Sequence, residues 1–229
     1  MKTVTLHRTL SSDRWYRSCP VELQTALMQL SRPVQLTQGE AVFHLGEGGS
    51  GLYCVLEGAL LVSNVSKEGK VAVLSQVEPC QWFGEIATID RGPRHFTAHA
   101  NEDSKVLCVA GETLEPWLNA HPLCWRDIGV LACSKLRVAL DALQEVSLLT
   151  LDQRILKRLE RIASGYGSRT TPKKRVRVPQ EVIAQMMGVS RQSVNRALKS
   201  LEDAGLISRT YGIVELHGPG SQAPDATPS

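Results

Sequence analysis

The sequence of 229 residues predicts an α+β chain with an antiparallel β domain first, a long helix next and a helix-turn-helix with a β wing last. Three observations predict this order. Short apolar runs separated by glycine-bearing turns occupy residues 32–108, an apolar heptad pattern follows at 125–149, and two short helical patterns flank a glycine within 179–204.

The N-terminal region begins with a helical pattern and continues with strands. Residues 12–31 are predicted to form one short helical segment because Leu23, Leu27 and Leu30 recur at helical spacing. The apolar runs that follow are 41–44, 52–56, 59–62 and 71–74, with glycines in the turns between them. Repeated short strands at this spacing are typical of an antiparallel sandwich or barrel.

The segment 125–149 contains no proline and, apart from Gly129, no turn signal, so it is predicted as one long helix. A narrow heptad seam runs along it, formed by Ala132, Leu136, Ala139, Leu143 and Val146. Such a seam suits a partner helix, which predicts a symmetric homodimer. A second apolar stripe, Leu131 and Val138, is available to pack on the β domain.

After the long helix a further helix is predicted at 152–163, followed by Gly165-Tyr166-Gly167 and a polar loop at 168–174. The small-residue tail at 218–229 is expected to be disordered. The predicted domains are therefore 1–122 for the helical segment and β domain, 123–149 for the dimerisation helix and 150–217 for the helix-turn-helix domain.

The helix-turn-helix pattern lies at 179–204. Pro179 suits the first turn of a helix, where its missing N–H group would be unpaired in any case. Gly188 can end that helix in a left-handed conformation, and Ser190 can cap the next helix through its hydroxyl group. Three apolar residues of the second helix are expected to face inward, namely Val194, Leu198 and Leu201.

The opposite face of the second helix carries the side chains that read DNA in a helix-turn-helix. The predicted base-reading residues are Arg191, Gln192, Asn195 and Arg196, because Arg pairs bidentately with guanine and Gln or Asn with adenine. The predicted phosphate contacts are Ser193 and Lys199, together with Arg209 in a wing formed by 205–209 and 211–216. Ser190 completes the predicted DNA-binding set as the cap residue.

Charge and composition support this interpretation. Residues 1–150 carry thirteen Lys and Arg against sixteen Asp and Glu, whereas residues 151–217 carry thirteen against six. A basic C-terminal third is typical of a nucleic-acid-binding module.

No apolar run reaches the roughly 18 residues of a membrane span, and no signal-peptide pattern is present, so we expect a cytoplasmic protein without membrane contact. The six scattered cysteines are expected to be buried thiols and not a disulfide framework or zinc site.

The sequence resembles the CRP/FNR family of bacterial transcription regulators over roughly residues 15–217. The likeness lies in 189–196 with 201–207 behind it, and independently in 51–58, 82–86 and 93–94. The resemblance implies a β-roll (jelly roll) sensor domain like a cyclic nucleotide-binding domain, then the dimer helix and the winged helix-turn-helix. It implies a transcription regulator whose partners are double-stranded DNA with two-fold-related half-sites, a second copy of the chain and, for an activator, RNA polymerase.

The resemblance also implies an effector site. In the family's cyclic-nucleotide-binding members a Glu accepts from the ribose hydroxyl group and an Arg holds the cyclic phosphate, and Glu85 and Arg94 match these positions. Gly84 and His95 are the other predicted effector-binding residues. A Glu–Arg pair of this kind can equally be a structural salt bridge.

Two departures from the family pattern disfavour cyclic AMP. His95 and Phe96 stand where a hydroxyl residue and a small residue are expected, and Ala139 and Leu140 replace two hydroxyl residues that contact adenine. A different cyclic nucleotide, another small effector, an unknown signal or no ligand all stay open. Redox sensing by Cys80 or Cys124 stays open as well. Iron–sulfur and haem sensing are disfavoured, because the cysteine or histidine patterns of those sensors are missing.

Two other functional classes compete with a DNA-binding regulator. A metal-dependent cupin enzyme needs convergent histidines, and the six histidines here do not form such a set. No Gly-rich phosphate loop or nucleophile elbow is present, so we predict neither catalytic nor metal-binding residues. A nucleotide-binding module that acts on an attached partner without touching DNA is disfavoured by the basic C-terminal domain.

Overall fold

The computed structural model describes residues 3–210 and 212–217, with only the backbone for Thr3 and Val4. The predicted tail at 218–229 lies outside the described residues. The chain divides into two compact units: Met1–Leu140 with Gly165–Thr170, and Asp141–Ser164 with Thr171–Ser229. The domain limits predicted from the sequence stay predictions. Within the described ranges no helix is both long and apolar enough to span a bilayer.

The first unit begins with three short helices, α1 (Thr3–Leu10), α2 (Arg14–Ser18) and α3 (Val21–Leu30). The prediction of one helical segment over 12–31 is therefore wrong in its continuity. Pro20 separates α2 from α3, because the residue before a proline is driven into extended backbone and Cys19 has a ψ of 149°. Asp13 caps α2 by accepting from the Tyr16 N–H group at 2.8 Å.

Eight strands of the first unit form two antiparallel sheets. One has the order β1-β8-β3-β6 and the other β2-β7-β4-β5. The strands are β1 (Ser31–Leu36), β2 (Ala41–Phe43), β3 (Gly51–Glu57), β4 (Leu60–Val65), β5 (Val71–Val77), β6 (Trp82–Phe83), β7 (Thr97–Ala100) and β8 (Ser104–Ala110). This confirms the predicted antiparallel β-roll. Two helices that the sequence pattern did not predict accompany the sheets: α4 (Glu85–Asp90) lies between β6 and β7, and α5 (Gly111–Ala120) follows β8.

The first unit has two apolar clusters that explain why these elements stay together. One joins the short helices to the sheet that contains β3 and β8, and its fully buried members include Leu10, Tyr16, Leu23, Leu52, Leu114 and Ile128. The other involves both sheets, and its members include Val55, Leu60, Phe83, Ala98 and Val106. The alternation of half-buried and buried residues along β7 is the period expected for a strand with one face in a core.

The long helix α6 (Cys124–Leu148) confirms the helix predicted at 125–149. Leu131 is 5% exposed and belongs to the core of the first unit, and Val138 is half-buried, as expected for a stripe that packs on the β domain. The seam is different. Leu136, Leu143 and Val146 are 58%, 69% and 57% exposed in the single chain, which is unusual for three aliphatic side chains at heptad spacing.

The second unit contains the remaining elements, which are α7 (Leu151–Ala163), β9 (Arg175–Arg177), α8 (Gln180–Met187), α9 (Arg191–Asp203), β10 (Ile207–Thr210) and β11 (Ile213–Leu216). A capping box between Thr150 and Gln153 begins α7. The three strands form one antiparallel sheet in the order β10-β11-β9. The predicted wing hairpin is thereby confirmed, whereas β9, its third strand, was assigned to no element from the sequence.

Candidate nucleic-acid interface and effector site

The turn between α8 and α9 is built by the residues that the sequence singled out. Gly188 ends α8 with a φ of 67°, the left-handed conformation that glycine adopts without steric cost. Ser190 caps α9, where its Oγ accepts from the Ser193 N–H group at 3.1 Å. Pro179 stands one position earlier than expected: it is the residue before α8, with extended backbone, and not part of the first turn.

One face of α9 is anchored in the core of the second unit. The predicted inward residues Val194, Leu198 and Leu201 are at most 4% exposed. They are buried along with apolar residues of α7 and α8, including Ile155, Leu159, Val182 and Ile183. Because this face is packed on α7 and α8, the opposite face of α9 is held in a fixed orientation relative to those two helices.

The outward face carries the predicted DNA-binding side chains. Arg191, Gln192, Asn195, Arg196 and Lys199 are all exposed. Ser193, by contrast, is half-buried: its Oγ lies 3.0 Å from the Ser190 Oγ and accepts from Arg196 Nη2 at 3.4 Å. Four donor-bearing side chains on the first two turns of α9 thus face solvent, as direct reading of a major groove requires.

Arg209 on β10 has partners within the protein, which the sequence did not reveal. Its Nε and Nη2 donate to Glu202 Oε2 at 2.9 and 2.7 Å, and its Nη1 donates to Asn195 Oδ1 at 3.1 Å. These hydrogen bonds lower the pKa of the Glu202 carboxyl group. The phosphate contact predicted for Arg209 therefore competes with an ion pair that is already formed.

The predicted effector residues lie in the first unit, where α4 begins. Arg94 is only 5% exposed, and its guanidinium group lies 4.3 Å from the centre of the Phe43 ring. Its Nη1 and Nη2 donate to the Gly84 carbonyl group and the Tyr53 hydroxyl group, each at 3.3 Å. The pKa of Tyr53 is raised, chiefly by burial.

Glu85 pairs with a residue of the long helix. It is 2% exposed, and Lys135 Nζ donates to its Oε2 at 2.7 Å. Among the described residues no salt bridge joins Glu85 to Arg94, which were the members of the alternative structural pair: Glu85 pairs with Lys135, and Arg94 donates to Gly84 and Tyr53. Gly84 has a φ of 97°, and a side chain there would collide with the Gly51 carbonyl oxygen.

The remaining residues of the predicted effector site do not fit the cyclic AMP pattern. His95 is exposed and contacts the Phe96 ring edge to face at 4.7 Å, and neither ring supplies a hydroxyl donor for a phosphate. Ala139 and Leu140 are exposed on α6 and carry no polar side-chain atom for adenine. One of the two Glu85 carboxylate oxygens, Oε2, is already bonded to Lys135.

A buried polar cluster that the sequence did not predict joins the segment Gly165–Thr170 to the rest of the first unit. Asp13 is 3% exposed, and burial raises its pKa to about 6, although hydrogen bonds from the Tyr16 backbone and the Ser168 side chain and the charge of Lys135 oppose that rise. Arg169 Nη2 pairs with Glu78 Oε2 at 2.6 Å. The sequence offered no signal for this cluster beyond the presence of Asp13, a residue type that is common at helix N-caps.

The cysteines are all free thiols, and four of them are buried as expected. Cys133 is exposed and Cys80 half-buried, so the expectation of buried thiols is wrong for Cys133, which lies on the solvent side of α6. Among the described residues no group of three or more His, Cys, Asp or Glu side chains could hold a metal ion.

Comparison with known proteins matches both units. A family model described as a cyclic nucleotide-binding domain matches residues 33–121, and one described as a Crp-like helix-turn-helix domain matches residues 153–219. A CRP-like cAMP-activated global transcriptional regulator of Mycobacterium tuberculosis is 28% identical over 184 residues, which are 80% of this chain and 82% of that protein. A cyclic AMP receptor protein of Thermus thermophilus is 28% identical over 209 residues, 90% of this chain and 92% of that protein.

Solved structures share the fold at lower identity. The c-di-GMP responsive global regulator CLP of Xanthomonas campestris has a TM-score of 0.67 and 20% identity, over 87% of this chain and 100% of that one. FixK2 of Bradyrhizobium japonicum has a TM-score of 0.70 and 18% identity, over 82% and 93%. At these identities the likeness shows a common architecture and nothing about ligands.

Proposed function

Because this chain belongs to the CRP/FNR family of bacterial transcription regulators, we propose that it binds two-fold-related DNA half-sites as a homodimer and reads their bases with the outer face of α9. The observation that carries the proposal is that α9 is capped and has one face buried in the core, while its other face exposes Arg191, Gln192, Asn195 and Arg196. Half-sites one DNA turn apart, roughly 34 Å, are expected from the two-fold symmetry.

The dimer is proposed through the seam of α6. Leu136 and Leu143 are more than half exposed in the single chain, and a second copy related by a two-fold axis would cover the same positions on both helices. Apolar residues that repeat at this spacing are otherwise an aggregation liability.

For the effector, we infer that cyclic AMP is not the physiological ligand. Arg94 is packed on Phe43, Glu85 is paired with Lys135, and the helix lacks hydroxyl groups at Ala139 and Leu140. Another nucleotide, a different small molecule, or regulation without a ligand remain the alternatives. Mass spectrometry of small molecules carried through purification of the full chain separates them.

The proposed function also implies a cellular location and one further partner, and both depend on it. A DNA-binding regulator in a bacterial cell works in the cytoplasm, where the DNA lies. Should the regulator activate transcription, RNA polymerase is the additional partner, which transcription in vitro from a selected site tests directly.

Selection from randomised DNA tests the base-reading face, with wild type and Gln192→Glu compared side by side. A carboxylate only accepts and suits the amino group of cytosine, whereas an amide both donates and accepts and suits adenine. The substitution should shift base preference at one position in each half-site, by about 1–3 kcal/mol. Identical sequence logos would show that α9 does not lie in the groove as proposed.

Lys199→Ala is the matched control for that experiment. A phosphate contact carries no sequence information, so this variant should weaken binding to all sequences alike. The slope of log K against log salt concentration should fall by about 1, and the logo should not change. A changed logo would assign Lys199 to base reading instead.

A further inference from the structure

Among the described residues, the amide of Asn195 is the one predicted base-reading group with a hydrogen bond to the wing. Asn195 lies on the exposed face of α9, and its Oδ1 accepts from Arg209 Nη1 at 3.1 Å. Arg209 belongs to β10, fourteen residues further along the chain. The wing therefore touches the reading face through a side chain, and not only through the backbone that connects them.

Arg209 is held in place from the other side by Glu202. Besides its two guanidinium hydrogen bonds to Oε2, the Arg209 backbone N–H group donates to Glu202 Oε1 at 3.0 Å. Glu202 follows Asn195 by seven residues, two helical turns, so both project from the same side of α9. Arg209 thus makes three hydrogen bonds to one carboxylate, two from its guanidinium group and one from its backbone, and these hold the guanidinium group beside Asn195.

The contact dictates how the amide is oriented. A guanidinium group only donates hydrogen bonds, so Asn195 must turn its oxygen towards Arg209 and its NH2 group away. Arg209 already occupies one lone pair of this oxygen, so the amide has less acceptor capacity left for a base. Both N–H donors of the Asn195 NH2 group stay available for acceptors on a base.

We propose that Arg209 and Glu202 are positioning residues that make Asn195 a donor to the DNA, so that it selects a base rich in acceptors, guanine foremost, in place of adenine. Adenine is read by an amide that offers one donor and one acceptor together, whereas guanine presents two acceptors, O6 and N7, in the major groove. The proposal rests on the proposed function, because α9 must lie in the groove.

Selection from randomised DNA with three variants tests it. Asn195→Ala identifies the position in each half-site that Asn195 reads, where the preference for guanine should disappear. In Arg209→Met with Glu202→Gln, which frees the amide without leaving an unpaired charge, that same position should move towards adenine. We expect the ratio of guanine to adenine binding there to fall by about tenfold, within the range of one good base contact. The other positions should keep their preferences.

Glu202→Gln alone is the milder variant. It keeps the Arg209 side chain but removes the carboxylate that fixes it beside Asn195, so it should shift the same position by a smaller factor. It keeps the test decisive if the double variant melts at a lower temperature. The salt dependence is the second readout. A drop of about 1 in the salt slope for the double variant, with an unchanged logo, would mean that Arg209 contacts a phosphate and would overturn the proposal.

An unchanged logo for Asn195→Ala would overturn it too, because that residue would then read no base. A wild-type chain that selects no sequence at all would instead overturn the proposed function.

Discussion

Asp13→Asn tests the buried polar cluster around the segment Gly165–Thr170. Asp13 is 3% exposed and has a pKa of about 6 against 3.8 for the free side chain, chiefly because burial disfavours the carboxylate. The folded first unit therefore favours the protonated form of this group. Its stabilising contribution is present below pH 3.8 and is lost as the pH rises through about 6.

The magnitude follows from the difference between the two pKa values. A shift of this size corresponds to a pH-dependent term of up to about 3 kcal/mol between pH 4 and pH 8. Asparagine caps a helix nearly as well as aspartate and does not titrate. The free energy of unfolding of Asp13→Asn minus that of wild type should therefore increase with pH by up to that amount. Any constant effect of the substitution cancels in the comparison between pH values.

Urea unfolding followed by tryptophan fluorescence is the appropriate measurement, since Trp15, Trp82, Trp117 and Trp125 all lie in the first unit. Wild type and variant are compared at equal protein concentration from pH 4.5 to 8, because a dimer's stability depends on concentration. A stability difference that stays flat across this range would refute the reasoning.

Ser168→Ala provides the internal control. The Ser168 side chain lowers the pKa of Asp13 by hydrogen bonding to it, so removing it should cost more stability above pH 6 than below. In the Asp13→Asn background the same substitution should have an effect that does not depend on pH. A pH-dependent effect that persists there would assign the titration to another group.

The remaining predictions concern the dimer and the effector. Leu136→Glu with Leu143→Glu should place four carboxylates in the seam of the dimer, each costing several kcal/mol once buried. Sedimentation should then show a monomer. Gln144→Glu changes an exposed neighbour outside the predicted seam and should leave the dimer intact. A dimer that survives both seam substitutions would contradict the seam. Cyclic AMP should bind at least roughly 30-fold more weakly than to a protein with both adenine-facing hydroxyl groups, because two hydrogen bonds of about 1 kcal/mol each are missing. Calorimetry that gives a low-micromolar constant, abolished by Arg94→Ala, would contradict this.

The sequence by itself determined the features that depend on neighbouring residues. The left-handed Gly188, the cap at Ser190 and the inward face of α9 all follow from spacings of three or four residues or from single backbone requirements. The strand pattern of 32–108 and the length of α6 were predictable for the same reason. Single-residue features of this kind occasionally mislead by one position, as Pro179 did.

The tertiary structure alone decided the pairings between distant residues. Glu85 and Lys135 are 50 positions apart, and Glu78 and Arg169 are 91 apart, so no local period could announce either. The same holds for Arg209, whose charge suggested a phosphate contact until Glu202 and Asn195 proved to lie beside it. From sequence alone, a charged side chain counts as a free charge. Only the fold determines whether a partner already neutralises it, because the packing of the core decides which surfaces come together.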